Sequence, residues 1–164
     1  GDAAMLLTQR RVHQVVVEQE DEEPSLLGTS EILQAVRDQQ LQARLSEIMT
    51  TVVFSIDGKE TVASARRYLK QAALSGLIVH DGKWPIGIFG HPEALASLAT
   101  EQTNPVDEAM CARIICLPVD MPVSRAAQQA EALGARHIIV QDGGDTVGLA
   151  TATDFAGLLA SIKP

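Results

Sequence analysis

Residues 135–154 carry the clearest pattern of apolar and polar positions in the chain. The run 137–140 is short, apolar and rich in β-branched residues, which is typical of a buried strand. A second strand is predicted over 146–150, and the segment 142–145, Asp-Gly-Gly-Asp, predicts the hairpin turn between them because glycine readily adopts positive φ. A helix is then predicted to begin within 151–154. Its apolar face comprises Phe155, Leu158, Leu159 and Ile162.

The same pattern occurs at two earlier places in the chain. At a spacing of 61 residues, Gly148 matches Gly87 and Asp154 matches Glu93 without a gap. At a spacing of 123 residues, Glu31 takes the position of Asp154. Self-similarity at a fixed spacing indicates a duplicated supersecondary unit. The sequence therefore predicts two full copies and one partial copy of this unit.

Each full copy is predicted to run strand, helix, strand, strand, helix, and the partial copy lacks the first strand. A polar helical connector is expected over 39–50, and a second connector over 106–112. In the first copy we predict a helix (2–10), a strand (12–17), an acidic turn (18–23), a strand (24–27) and a helix (30–40). In the second we predict strands over 52–56, 76–79 and 85–89, a helix capped by Thr61 that runs to residue 74, and a helix over 93–100. In the third we predict a strand over 113–117 and a helix over 123–133, followed by the elements described above.

One such unit cannot bury enough apolar area by itself, so the units are expected to pack in pairs. We expect the copies over 46–100 and 107–162 to form one pair. The partial copy over 1–40 then needs another partner, such as its equivalent in a second chain. Since an uncovered apolar face usually marks an interface, the expected assembly is a homodimer.

The composition of the chain argues against several classes of function. The chain has 164 residues, of which 46% are hydrophobic and 3% aromatic, so the core must consist mainly of Ala, Leu, Val and Ile. A net charge of −8 argues against nucleic acid or an anionic membrane as the partner. We find no apolar run of about 20 residues and no signal peptide. Cys111 and Cys116 are expected to be free thiols, and the expected location is the cytoplasm.

The sequence contains no convincing catalytic or metal-binding set. The four histidines show no i, i+4 spacing, and no acidic pair completes a zinc or iron site. Gly82-Lys83 lacks the glycine-rich loop of a P-loop, and the acidic run 18–23 lacks the spaced ligands of a calcium loop. No nucleophile and base stand out as a pair. We therefore expect a protein that is not an enzyme and requires no cofactor.

The repeated unit resembles the CBS motif, which occurs in tandem as the Bateman module. The segment 148–154, GLATATD, is similar to the family's pattern of glycine, Thr/Ser and Asp. The strand ARHIIV resembles the family's central strand. The preceding segment ICLPVDMPV resembles the family's first strand together with the capped helix that follows it. The implied fold is α+β, with tandem β-α-β-β-α units packed as a pseudo-twofold pair.

The resemblance implies a ligand site for an adenine nucleotide (AMP, ADP or ATP) or S-adenosylmethionine. By position, Thr151 would bind phosphate at a helix start and Asp154 would accept hydrogen bonds from the ribose hydroxyls. The adenine pocket would be lined by Arg136, His137 and Ile138, with Val119 and Asp120 at its mouth. His91 is a further candidate for a phosphate contact.

Alternatively, Thr151 and Asp154 only cap the helix and bind no ligand. Thr153 is also a suitable N-cap residue. The first two copies depart from the family pattern: Gly90 and Glu93 stand in the second copy, and Gly28 and Glu31 in the first. Three functions stay open. The first is a regulatory module that senses an adenosyl ligand, and the second is a ligand-free scaffold that dimerises and holds a partner. The third, and the least favoured, is a small catalytic domain.

Overall fold

The computed structural model describes residue 6 and residues 14–17, 24–99 and 102–162. The acidic turn expected over 18–23, and the helix expected over 2–10 apart from Leu6, lie outside these residues. The strands are β1 (Val15–Val17), β2 (Ser25–Leu27), β3 (Ser55–Asp57), β4 (Gly76–Asp81), β5 (Trp84–Gly90), β6 (Ile114–Pro118), β7 (His137–Asp142) and β8 (Asp145–Thr151). The helices are α1 (Thr29–Asp38), α2 (Leu45–Ile48), α3 (Val62–Gln71), α4 (His91–Ala96), α5 (Val123–Leu133) and α6 (Ala152–Ser161), with 3₁₀ turns at Ser97–Ala99 and Val106–Glu108.

The chain divides into two compact units. The first unit comprises Gly1–Thr51 and Ile115–Pro164, and the second comprises Val52–Ile114. The described part of the first unit contains the sheet β6-β7-β8, the hairpin β1-β2 and the helices α1, α2, α5 and α6. The second unit contains the sheet β3-β4-β5 with α3 and α4.

The two full copies have the same internal architecture, as predicted. Each runs β-α-β-β-α, and in each the middle strand of the sheet pairs antiparallel with the strand that follows it. Both hairpins shift register at equivalent places, between Val79 and His80 and between Val140 and Gln141. Both turns hold a glycine at φ 57°, Gly82 and Gly143, where other residues would be strained. The α+β class with tandem β-α-β-β-α units is therefore confirmed.

The connector that precedes each full copy is bound to the other copy. In the first unit, Leu45 N–H donates to the Met121 carbonyl at 3.0 Å, and in the second unit Val106 N–H donates to the Glu60 carbonyl at 2.8 Å. These donors lie 61 residues apart, as do the acceptors. The same spacing relates two isolated β-bridges, Arg44 with Pro122 and Thr61 with Pro105. The repeat thus extends from the sequence to individual hydrogen bonds.

Each connector also places a methionine against a glycine of the last strand. A Cβ on Gly148 would collide with Met49 Sδ and lie 3.1 Å from the Thr50 carbonyl oxygen. A Cβ on Gly87 would collide with Met110 Sδ and lie 2.9 Å from the carbonyl oxygen of Cys111. Glycine is needed at both positions because the backbone of the connector approaches the strand directly.

The partial copy packs within its own chain. Helix α1 lies against α5 and α6, and its side chains Ile32, Leu33 and Val36 are at most 4% exposed. Arg37 Nη1 donates to Glu131 Oε2 at 2.6 Å across this contact. The apolar face of α1 therefore needs no second chain to cover it, contrary to the expectation for the partial copy. The pairing of 46–100 with 107–162 as one module stays a prediction.

Several predicted boundaries were wrong. The connector over 39–50 is helical only at Leu45–Ile48, because Gln40 has φ 47° and Arg44 forms an extended bridge with Pro122. Helix α3 ends at Gln71 rather than at residue 74, and Ala73 beyond it has φ 50°. Helix α4 begins at His91 with Pro92 in its first turn, so it starts two residues before the predicted 93–100. The predicted helix over 123–133 and the Thr61 cap are confirmed, since Thr61 Oγ1 accepts from Ser64 N–H at 3.1 Å.

Replacing Leu33 by alanine should destabilise the protein by about 2–5 kcal/mol, because a buried leucine of α1 leaves a cavity against α5 and α6. Urea unfolding followed by circular dichroism measures the loss. The exposed neighbour Gln34→Ala is the control, with an expected change within about 0.5 kcal/mol. Equal stability of Leu33→Ala and wild type would contradict the packing of the partial copy in this chain.

The Gly87→Ala variant should lose about 1–3 kcal/mol, because its Cβ overlaps the Cys111 carbonyl and Met110. Gly157→Ala in α6 is the matched control. Its Cβ meets nothing within 4 Å, so it should be neutral or stabilising by about 0.5–1 kcal/mol. Thermal unfolding of the two variants should separate them, and the reverse order of stability would refute the close approach of connector and strand.

Candidate functional site

The residues implied by the resemblance lie at three places in the first unit and one in the second. Val119 and Asp120 follow β6, residues 136–138 begin β7, and Thr151 and Asp154 flank the start of α6. All of these belong to the first unit. His91 is exposed at the first position of α4, in the second unit.

Thr151 is the N-cap of α6, and the expected cap at Thr153 was wrong. Thr151 is the last residue of β8 and has extended backbone angles, whereas Thr153 already lies inside the helix. The backbone N–H of Thr151 donates to Asp154 Oδ2 at 2.7 Å, and its hydroxyl donates to the same oxygen at 2.9 Å. The two predicted ligand residues are therefore bound to each other, across the first turn of the helix.

Burial sets the electrostatics of this pair. Desolvation raises the pKa of the Asp154 carboxyl above its ordinary value of 3.8, and the hydrogen bonds from Thr151 oppose the shift without cancelling it. An additional donor, such as a ribose hydroxyl, would stabilise the ionised carboxylate further. The site thus contains a half-buried acceptor beside a hydroxyl.

The matching acidic residues of the other copies make the same cap. Glu31 Oε2 accepts from Gly28 N–H at 2.8 Å, and Glu93 Oε2 accepts from Gly90 N–H at 3.0 Å. All three carboxylates hold the N-terminal turn of their helix. The third copy differs because its cap residue is Thr151, which adds a hydroxyl that glycine cannot provide.

The residues at the start of β7 are placed differently from one another. Ile138 is 2% exposed and belongs to the core, so its side chain has no access to solvent. His137 is half-buried and pairs in register with Thr151, whereas Arg136 is exposed. A cavity of about 10 Å³ between Arg136 and Thr151 has room for about one water molecule. An adenine ring would need these side chains to move.

The two residues expected at the mouth of the adenine pocket differ in their exposure to solvent. Val119 is half-buried, its N–H donates to the Gln141 carbonyl at 2.9 Å, and its carbonyl accepts from Ser46 N–H at 3.0 Å. Its backbone therefore bonds to β7 and to the connector. Asp120 is exposed beyond the strand.

Sequence reasoning missed two residues near this site. Thr29 and Leu33 of α1 line the cavity beside Thr151. No local pattern marks them, because they reach the site only through the packing of the partial copy on α5 and α6. Their identity as cavity residues is a property of the tertiary structure.

The family model for the CBS domain matches residues 45–98 and 106–161. The chain belongs to the CBS domain family. CBS domains are in general regulatory modules, and no catalytic family is indicated. No curated protein sequence matches the chain significantly.

Several solved structures share the fold. MJ1225 from Methanocaldococcus jannaschii, proposed as an archaeal homologue of γ-AMPK, is 15% identical with a TM-score of 0.74, and the match covers 96% of this chain and 63% of that one. The CBS domain pair of protein MJ0100, solved with 5′-methylthioadenosine and S-adenosyl-L-methionine, is 20% identical with a TM-score of 0.62, covering 74% and 98%. The CBS domain of the bacterial CNNM/CorC family Mg²⁺ transporter is 17% identical with a TM-score of 0.66, covering 83% and 87%.

Within the described residues, no group of three or more His, Cys, Asp or Glu could hold a metal ion. No helix in that part of the chain is both long and apolar enough to cross a bilayer. The cytoplasmic location and the individual ligand residues stay predictions.

The raised pKa of Asp154 predicts a pH dependence of stability. The folded state holds this proton more tightly than the unfolded state, so the contribution of Asp154 is greatest below the ordinary value of 3.8 and is lost as pH rises through the folded-state pKa. Asp154→Asn keeps an oxygen acceptor for Thr151 N–H but cannot ionise. The stability of wild type relative to Asp154→Asn should therefore fall between pH 3.5 and pH 7 in urea unfolding. A relative stability that rises with pH would show that hydrogen bonding outweighs burial.

Proposed function

We propose that this chain is a non-catalytic regulatory module that binds an adenosyl ligand at the start of α6. The observation that carries the proposal is the pair of Thr151 and Asp154, which places a hydroxyl and a half-buried carboxylate together at a helix N-terminus. Candidate ligands are AMP, ADP, ATP and S-adenosylmethionine. The complex of the MJ0100 CBS domain pair with two adenosyl compounds supports this class.

The proposed roles follow from the chemistry of each group. The Thr151 hydroxyl and the helix N-terminus would contact a phosphate, since both favour negative charge. The Asp154 carboxylate would accept from the ribose. The cavity of about 10 Å³ is too small for a nucleotide, so the exposed side chain of Arg136 would have to move when a ligand binds. In its new position Arg136 would contact the phosphate.

Ligand binding has a direct route to the partial copy. Thr29 and Leu33 of α1 border the cavity, so a ligand that opens the cavity on the side of α1 would displace α1 from α5 and α6 or rearrange that contact. A ligand shifts an equilibrium only by its differential affinity for the two states. We infer that α1 is the element whose packing reports occupancy of the site.

Isothermal titration calorimetry with AMP, ADP, ATP and S-adenosylmethionine tests the proposal. At least one ligand should bind, and Asp154→Ala should weaken it about tenfold or more, as expected for loss of a charge-assisted hydrogen bond. Glu93→Ala is the matched control. It removes the same helix cap in the second unit, and the affinity should stay within about twofold of wild type.

Two results would contradict the proposal. Absence of heat and of any melting shift at millimolar ligand would discard adenosyl binding. Equal loss of affinity in Asp154→Ala and Glu93→Ala would remove Asp154 from the site, because it would trace the effect to loss of a cap rather than of a ligand contact.

A ligand-free scaffold for dimerisation is the second candidate. The second unit carries exposed leucines on and after α4, Leu95 at 69% and Leu98 at 58%. Exposed apolar side chains near one another favour a protein interface. Light scattering with and without nucleotide separates the candidates: a dimer that forms without ligand, together with silent calorimetry, favours the scaffold.

A further inference from the structure

The second unit contains a pocket of which the CBS resemblance assigns one position, that of Glu93, which matches Asp154. Its volume is about 340 Å³, within the range of small-molecule sites. Val62 and Ser97 are buried at its floor, and Ala96 and Glu108 are exposed at its rim. The described lining residues are Val62, Glu93, Ala96, Ser97, Asn104, Glu108 and Ala109.

Two of the side chains that line the pocket are smaller than their equivalents in the first unit. At the spacing of 61 residues, Ser97 corresponds to Leu158 and Ala109 to Ile48. Leu158 and Ile48 are partly buried and pack on the core of the first unit. The second unit thus leaves open a space that the first unit fills with two large aliphatic side chains.

One carboxylate of the pocket lacks the hydrogen bond that its equivalent makes in the first unit. In the first unit, Glu47 Oε1 accepts from Arg44 N–H at 2.7 Å. The residue matching Arg44 is Pro105, which has no N–H, so Glu108 cannot make the equivalent cap. The second carboxylate, Glu93, accepts from Gly90 N–H through Oε2. Two carboxylates therefore border the pocket, and no Lys, Arg or His occurs among its described lining residues.

The remaining wall combines an apolar surface with polar groups. Val62, Ala96 and Ala109 provide aliphatic contacts. The Ser97 hydroxyl donates to the Ala94 carbonyl at 2.9 Å, and the Ser97 carbonyl accepts from Gln102 Nε2 at 2.8 Å, which fixes this side of the pocket. Such a site suits a ligand with a positive charge at one end and a short hydrocarbon at the other.

We propose that this pocket binds a small organic cation, a protonated primary amine with a short aliphatic chain. The ammonium group donates charge-assisted hydrogen bonds to Glu108 and Glu93, and the methylene groups bury against Val62, Ala96 and Ala109. The pocket lies in the second unit, whereas Thr151 and Asp154 lie in the first, so this proposal does not rest on adenosyl binding.

Amide ¹H–¹⁵N NMR of the full chain tests the proposal with n-butylammonium as the probe. Butanol and butyrate, which have the same chain length with neutral and negative ends, are the controls. Butylammonium at millimolar concentration should shift the amides of Ser97, Asn104 and Glu108 in a saturable way, with at least about fivefold tighter binding than butanol and no shift with butyrate. Equal binding of all three probes, or no localised shift with butylammonium, would overturn the proposal.

Two variants locate the effect. Ser97→Leu/Ala109→Ile restores the side chains of the first unit and should abolish the shifts while keeping the folded spectrum. Glu108→Gln removes one charge and should weaken butylammonium binding several-fold, whereas Glu60→Gln, at an exposed glutamate of the same unit that does not line the pocket, should leave binding unchanged. Butylammonium binding that persists in the double variant, or is equally weakened in Glu60→Gln, would refute the assignment.

Discussion

The close packing of each connector on the last strand of the other copy is the constraint on which both units depend. Met49 and Met110 reach their partner strands only because Gly148 and Gly87 carry no side chain. The same approach lets Thr50 exchange hydrogen bonds with Leu149, and Cys111 with Ile88, at 2.8–3.0 Å. A single methyl group on either glycine would push the connector away from the strand. Each glycine therefore determines the position of a connector that is far from it in sequence.

The acidic residue in the first turn of three helices has the same structural role in each copy. Glu31, Glu93 and Asp154 each accept the N–H of the residue three positions earlier, and this contact fixes the direction in which each helix leaves its strand. Such a cap stabilises by about 1 kcal/mol. Only in the third copy does the cap residue have a hydroxyl, so only there does the same carboxylate hold a polar group that a ligand could share.

Duplication followed by small substitutions has given the two units different interiors. In the first unit the space between the connector and the last helix is filled by Ile48 and Leu158, and the remaining cavity beside Thr151 is about the size of a water molecule. In the second unit Ala109 and Ser97 leave that space open. Many backbone hydrogen bonds of the two units match, so the smaller side chains of Ala109 and Ser97 contribute to this difference. The backbone arrangement is the same in both units because strand pairing and the glycine contacts define it. The side chains that fill the space between the backbone elements differ.

The sequence by itself determined the repeated unit, the order of its elements and the approximate positions of most strands in both sheets, although β3 lies at Ser55–Asp57 rather than over the predicted 52–56. These follow from local periodicity and from matches at a fixed spacing, which need no knowledge of distant contacts. The helix over 123–133 and the Thr61 cap were predictable for the same reason. The tertiary structure alone decided that α1 covers α5 and α6, that the connector over 39–50 is helical only at residues 45–48, and that Thr151 rather than Thr153 caps α6. Each of these depends on hydrogen bonds or apolar contacts between segments far apart in sequence, whose energies outweigh local preference and leave no signature in the pattern of any one segment.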